Sequence, residues 1–173
     1  MELIVTAILA LVPSAAIIII VHLFFKKQLT KDVTQVSREL KKERQSYFLG
    51  PRVEAYQRII LLMERINPHS LIMRTYDPKK TAKEFQGNLL TAIRSEFDHN
   101  VAQQMFISLQ GWEMVKKSKE ETIKIINLAA KQLEENASAT DLSTKIFELI
   151  AEIGDLPTEI TVNQLKQEFQ KLF

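Results

Sequence analysis

The chain has 173 residues, no cysteine and a formal net charge of +2. That length suits one domain plus a membrane anchor, and the missing cysteine excludes a disulfide framework, a thiolate nucleophile, a Cys-ligated metal and a lipidated cysteine. Residues 26–44 hold seven basic side chains against three acidic, and residues 45–173 hold sixteen against seventeen, so the folded part lacks the positive footprint that a nucleic-acid binder needs.

Leu3 to Phe25 reads LIVTAILALVPSAAIIIIVHLFF, 23 residues without a formally charged side chain. At about 1.5 Å per residue the run is long enough to cross a hydrocarbon core of about 30 Å with some tilt. Pro13 is tolerable within a transmembrane helix, and His22 lies near the lysine-rich end as an interfacial side chain. A cleaved signal peptide is not expected, because no basic segment precedes the run, the run is too long, and Lys26-Lys27 follow instead of small residues. Lys26, Lys27 and Lys31 open the basic flank, which predicts an amino terminus outside and the remainder in the cytoplasm, at an inner (plasma) membrane. The lipid bilayer is therefore the first expected partner. The chain divides on this reading into an anchor over 1–25, a basic helical stalk over 26–50 and a cytoplasmic α-helical domain over 51–173.

In the stalk, Leu29, Val33, Val36 and Leu40 recur at spacings of four, three and four, with Tyr47 one heptad beyond. Such a narrow stripe suits a seam with a second copy, a helix docked on its own domain or one lying near the headgroups. Gly50-Pro51 is expected to end it. A helix over 51–66 follows, with Val53, Tyr56, Ile60 and Met63 on one face, Ile59, Leu62 and Ile66 widening it, and a Glu54–Arg58 pair. Asn67-Pro68 breaks it. Asp77-Pro78 reads as a cap and first-turn proline for a helix with Ala82, Phe85, Leu89, Ala92, Ile93 and Phe97 at core spacing; Gly87 inside it suggests a close helix crossing. Residues 99–107 fit either a helical extension or a loop. Ser108 caps a long helix with Trp112, Val115, Ile123, Ile126, Ala130 and Leu133 along one side. Asp141 caps a shorter one that Gly154 stops, and Leu156-Pro157-Thr158 leads into the last. No strand-like alternation appears, so the fold class is all-α: an N-terminal transmembrane helix, a helical stalk and a bundle-like soluble domain of about five helices.

A resemblance enters on Phe25-Lys26-Lys27, on Glu64 to Pro68, on Ile93 to Asn100, on Gln103-Gln104, on Ile125 to Ala129 and on Leu156 to Ile160. With these segments the chain resembles, nearly end to end, an uncharacterised family of small single-pass membrane proteins typical of Bacteroidota. The resemblance implies the anchor and the helical domain. It implies no catalytic residue, since that family has no assigned activity.

Glu96 and His99 have the Glu-x-x-His spacing by which a bundle helix offers two ligands to a di-iron centre, but neither His22 nor His69 supplies the second pair such a centre needs. No nucleophile elbow, Walker loop, dinucleotide glycine pattern, zinc-protease motif or calcium loop is present. Neither a cofactor nor a bound metal is expected, nor an enzyme. Arg65, Asn67, Arg94, Glu96, His99 and Asn100, with Gln103 and Gln104, form a candidate polar binding patch. Their place at helix ends favours capping and hydrogen bonding of orphan backbone groups over binding, and an Arg94–Asp98 pair is expected within them. The function expected is a membrane-tethered interaction or scaffold module that binds another protein, or itself through the stalk. The alternative is a membrane-anchored enzyme or metal-binding helical protein centred on Glu96 and His99.

Overall fold

From Glu2 to Ile66 the only helix breakers are Pro13, Gly50 and Pro51, and in the computed structural model a helical backbone runs through all three as α1 (Glu2–Ile66). The structure describes residues 1–171, with nothing said of the side chains of residues 2–19, 32 and 45. Among the described residues no helix is long and apolar enough to cross a membrane; the expected 1–25 anchor falls largely on residues 2–19, whose side chains are outside that description. The expected end of the stalk helix at Gly50-Pro51 does not occur. A proline within a helix forfeits one backbone bond and crowds the preceding turn, which weakens the helix without requiring it to stop.

The chain divides into two units, Met1–Leu49 and Gly50–Phe173. In the first, the Thr30 and Thr34 hydroxyls donate to the carbonyls of Lys26 and Thr30, at 2.9 and 2.7 Å. Leu29, Val33, Val36, Leu40 and Tyr47 are all exposed.

The second unit is built around the last turns of α1, where Ala55, Tyr56, Ile59, Leu62, Met63 and Ile66 are buried on one face. The expected Glu54–Arg58 pair forms at 2.8 Å on the opposite side. Asn67 then ends α1 and caps α2 (Pro68–Thr75), accepting the His69 N–H through Oδ1 at 3.0 Å. This short helix was not expected from the sequence. Asp77 does not open α3 as expected. Its Oδ1 accepts the Lys79 N–H and its carbonyl the Lys80 N–H, closing a turn, for which Asp-Pro is as well suited as for a helix start. Instead α3 (Ala82–Asn100) starts after Thr81, whose hydroxyl accepts the Glu84 N–H while the Glu84 carboxylate accepts the Thr81 N–H. The ambiguous stretch after it resolves into a 3-10 turn (Val101–Met105). Ser108 caps α4 (Leu109–Lys131) as expected. For α5 (Ala139–Ile153) the cap is Ser138, and Asp141 acts three residues later as its reciprocal partner. Gly154, at φ 79°, ends α5, and Pro157 opens α6 (Pro157–Gln170). Among the described residues the fold is all-α, with five α-helices and one 3-10 turn after α1.

Two arrangements order these helices. The N-termini of α3 and α5 lie side by side through a single antiparallel bridge between Thr81 and Ser138: the Ala82 N–H donates to the Ala137 carbonyl at 2.9 Å and the Ala139 N–H to the Lys80 carbonyl at 3.0 Å. The two helices then repeat one another, since buried Ala82, Phe85, Leu89 and Ile93 match buried Ala139, Leu142, Ile146 and Ile150 at the same offset. The bonds from Thr81 and Ser138 hold the Glu84 and Asp141 carboxyls below their ordinary pKa.

The other arrangement is the α4–α6 pair. Here α4 turns Gly111, Val115, Ser118 and Thr122 inward, and α6 answers with Thr158, Thr161 and Leu165. The Ser118 hydroxyl donates to the Pro157 carbonyl at 2.7 Å, which leaves Thr161 to donate to Ser118 at 2.7 Å. The inward face of α4 is thus shifted from the expected one: Thr122, Ile125 and Ala129 are buried, and Ile123, Ala130 and Leu133 lie at its margin. A methyl group on Gly111 would stand 2.9 Å from Glu168 Oε2 and 3.2 Å from Leu165 Cδ2. The close crossing expected at Gly87 is therefore at Gly111; nothing lies within 4 Å of a methyl group on Gly87.

Beside Gly111, Glu168 Oε1 accepts the Tyr56 hydroxyl at 2.5 Å and the Ser108 N–H at 3.3 Å, while the Tyr56 ring rests on Phe169. Burial first, then the hydrogen bond and charge of Glu168, push the Tyr56 phenol well above its ordinary 10.0.

These contacts make two predictions. Gly111→Ala should lower stability by about 1–3 kcal/mol through overpacking, whereas Gly87→Ala should raise it by about 0.5–1 kcal/mol through helix propensity; urea midpoints of the full chain measure both. Because the fold holds the Tyr56 phenol neutral, its contribution is fully present below pH ~10 and is lost as pH rises beyond that value, where only the unfolded chain ionises freely. A pH series of melting curves should show part of the alkaline loss disappear in Tyr56→Phe.

Candidate functional site

The ends of three helices meet at the candidate patch. Arg65 is in the last turn of α1, Arg74 in the last turn of α2, and Glu96 four residues before the end of α3. A cation is favoured at the C-terminal end of a helix and a carboxylate is not, so the two arginines suit their positions and Glu96 needs a partner. It has two. Glu96 Oε1 accepts Arg65 Nη2 at 2.6 Å and Nε at 2.7 Å, and Arg74 Nη1 at 3.1 Å. Arg74 Nη2 reaches the Arg65 carbonyl at 3.4 Å, and Asn100 Nδ2 donates to the Glu96 carbonyl at 2.8 Å. The Arg65 carbonyl belongs to a final helical turn, where no intrahelical donor remains.

The predicted patch is thus only partly assembled. Arg65, Glu96 and Asn100 come together, joined by Arg74, which lies on the helix the sequence reading did not anticipate. Asn67, though two residues from Arg65, is buried elsewhere: its Nδ2 donates to Thr158 Oγ1 at 3.3 Å and to Glu159 Oε1 at 3.5 Å, tying the start of α2 to the start of α6. Arg94 and His99 are exposed and make no hydrogen bond or ion pair with a described residue, so the expected Arg94–Asp98 pair is not formed. The basic flank at Lys26, Lys27 and Lys31 lies on the exposed stalk, in the other unit.

Chemically the cluster is an ion-paired strut: two guanidiniums on one carboxylate, with one positive charge left over. It holds no nucleophile beside a base. The carboxylate that would have ligated a metal with His99 is committed to Arg65 and Arg74, and the described residues include no group of three or more His, Asp or Glu side chains able to hold an ion.

The model of the family of unknown function DUF7935 matches residues 2–172. The chain belongs to DUF7935. No curated protein and no solved structure matches this DUF7935 chain, so its site rests on the geometry described above. Beyond the expected residues, that geometry adds Arg74, Gly111, Glu168 and Thr158. Of these only Gly111 carried a signal in the sequence, as the other glycine within a helical stretch.

If the cluster ties helix ends together, Glu96→Ala should cost about 1 kcal/mol or less, since both arginines remain partly solvated. Arg94→Ala and His99→Ala should then stay within about 0.5 kcal/mol of the parent. Chemical denaturation of the three variants checks the ranking, and a His99→Ala loss equal to that of Glu96→Ala would count against it.

Proposed function

We propose that this member of DUF7935 is a membrane-tethered helical interaction module, with its amino terminus outside and its helical unit at the cytoplasmic face of the inner membrane of a bacterium of the Bacteroidota type. The observation that carries the reading is the 23-residue uncharged run over 3–25, followed at once by seven basic residues within 26–44. Such a run favours hydrocarbon, and basic side chains on one flank hold that flank on the cytoplasmic side. Each lysine or arginine near an anionic surface adds about 1 kcal/mol of attraction.

Two further features support an interaction role over a catalytic one. The helical unit is close to neutral and Arg65, Asn67, Glu96 and Asn100 are engaged in joining helix ends, while the stalk presents a row of exposed apolar side chains. Large apolar side chains aligned on an exposed helix face are characteristic of surfaces that meet another chain.

The reading is tested with a reporter at the C-terminus. A fluorescent protein fused there should mature in the cytoplasm, alkaline phosphatase fused there should stay inactive, and the chain should remain in the membrane pellet after an alkaline carbonate wash. Phosphatase activity in the periplasm, or release by carbonate, would overturn the placement.

A further inference from the structure

The exposed row on the stalk has a geometry that selects its occupant. Leu29, Val33, Val36, Leu40 and Tyr47 are 64, 65, 53, 50 and 78% exposed, so nothing within their own unit, Met1–Leu49, covers them. At about 100° of turn per residue the five fall within a sector of about 60°. A helix that packs on its own domain or floats on lipid needs an apolar face of about 100° or more, whereas a two-per-heptad seam is this narrow. Lipid is disfavoured a second time by the charges. Lys27, Lys31, Arg38 and Lys42 lie opposite the row, so a helix resting on a bilayer by its apolar side would point them away from the headgroups.

We infer that this row is the seam of a parallel, in-register two-stranded coiled coil formed with a second copy of the chain. Val33, Leu40 and Tyr47 take the a positions and Leu29 and Val36 the d positions; Val33 at a with Leu29 at d is the two-stranded parallel pattern, which Leu40 at a with Val36 at d does not continue. The direction follows from the edges. Asp32 and Glu39 occupy successive g positions in the sequence, and Arg44 occupies the e position five residues after Glu39. In a parallel pair, g of one helix faces e of the other, so Glu39 meets Arg44 of the second copy on both sides of the seam. In an antiparallel pair, g faces g, which brings acidic edges together. Two features limit the seam: Glu43 interrupts it at a d position, and Lys26 ends it one heptad before Val33. Under three heptads long, it is weak by itself. It rests on the membrane reading to this extent, that two copies tethered in one bilayer meet at a raised effective concentration and already point the same way.

The absence of native cysteine makes the test direct. Single-cysteine variants Val33→Cys, Tyr47→Cys and Arg38→Cys of the full chain are oxidised in native membranes, and carbonate-washed pellets are resolved without reductant. Val33→Cys and Tyr47→Cys should each crosslink to themselves, and Arg38→Cys, on the far face, should not. Glu39→Arg in the Val33→Cys background should lower the crosslinked fraction by about fivefold, and adding Arg44→Glu should restore it. Monomer throughout in the membrane pellet overturns the dimer alone, and protein in the soluble fraction overturns the anchor. Crosslinking of coexpressed Val33→Cys and Glu43→Cys chains, without a Val33→Cys homodimer, overturns the parallel register. Equal crosslinking at Arg38→Cys signals random collision and overturns the seam.

Discussion

The carboxylate of Glu168 joins three parts of the helical unit that are far apart in the chain. It accepts hydrogen bonds from the phenol of Tyr56, near the end of α1, and from the backbone N–H of Ser108, where α4 begins. It can do so only because Gly111 has no side chain: a methyl group there would press on Glu168 and Leu165 and hold α6 away. The small face of α4 and the carboxylate of α6 are thus one constraint. Negative charge at the start of α4 is also where the helix favours it, and a buried phenol needs an acceptor, so one group meets two demands.

A different economy governs the other side of the unit. There α3 and α5 begin with the same device, a hydroxyl and a carboxylate exchanging bonds with each other's backbone, and the two caps dock by one bridge between Thr81 and Ser138. Helix N-termini carry unpaired N–H groups of like partial charge, so two of them side by side would repel. Reciprocal capping places an acid at each and removes that obstacle. The matching buried positions that follow then run down the two helices in step.

Against this background the arginine and glutamate cluster is the counterpart at the C-terminal ends. Arg65 and Arg74 supply donors to the Glu96 carboxylate, Arg74 also to the final-turn carbonyl of Arg65, and Asn100 to the carbonyl of Glu96. Four of the six polar residues that stand out in the sequence are accounted for by joining helix ends, and the apolar row of the stalk is exposed along its length. That contrast is why the functional proposal rests on tethering and self-association and not on chemistry in the helical unit.

Helical periodicity, proline and glycine punctuation and the absence of alternation were enough to establish from the sequence an all-α chain, with breaks at Asn67-Pro68 and Gly154 and starts at Ser108 and Pro157, because these are local choices of backbone and cap. The starts of α3 and α5 were misplaced by a few residues for a related reason: Asp77 and Asp141 each suit more than one role, turn or cap in the first case and cap or third residue in the second. Long-range contact decided the remainder. Whether Gly87 or Gly111 marks a crossing depends on which face meets α6, and whether Asn67 joins Arg65 or Thr158 depends on how α2 turns. Neighbours in sequence point apart once a helix ends between them, and residues as distant as Tyr56 and Glu168 meet only when the whole core has closed.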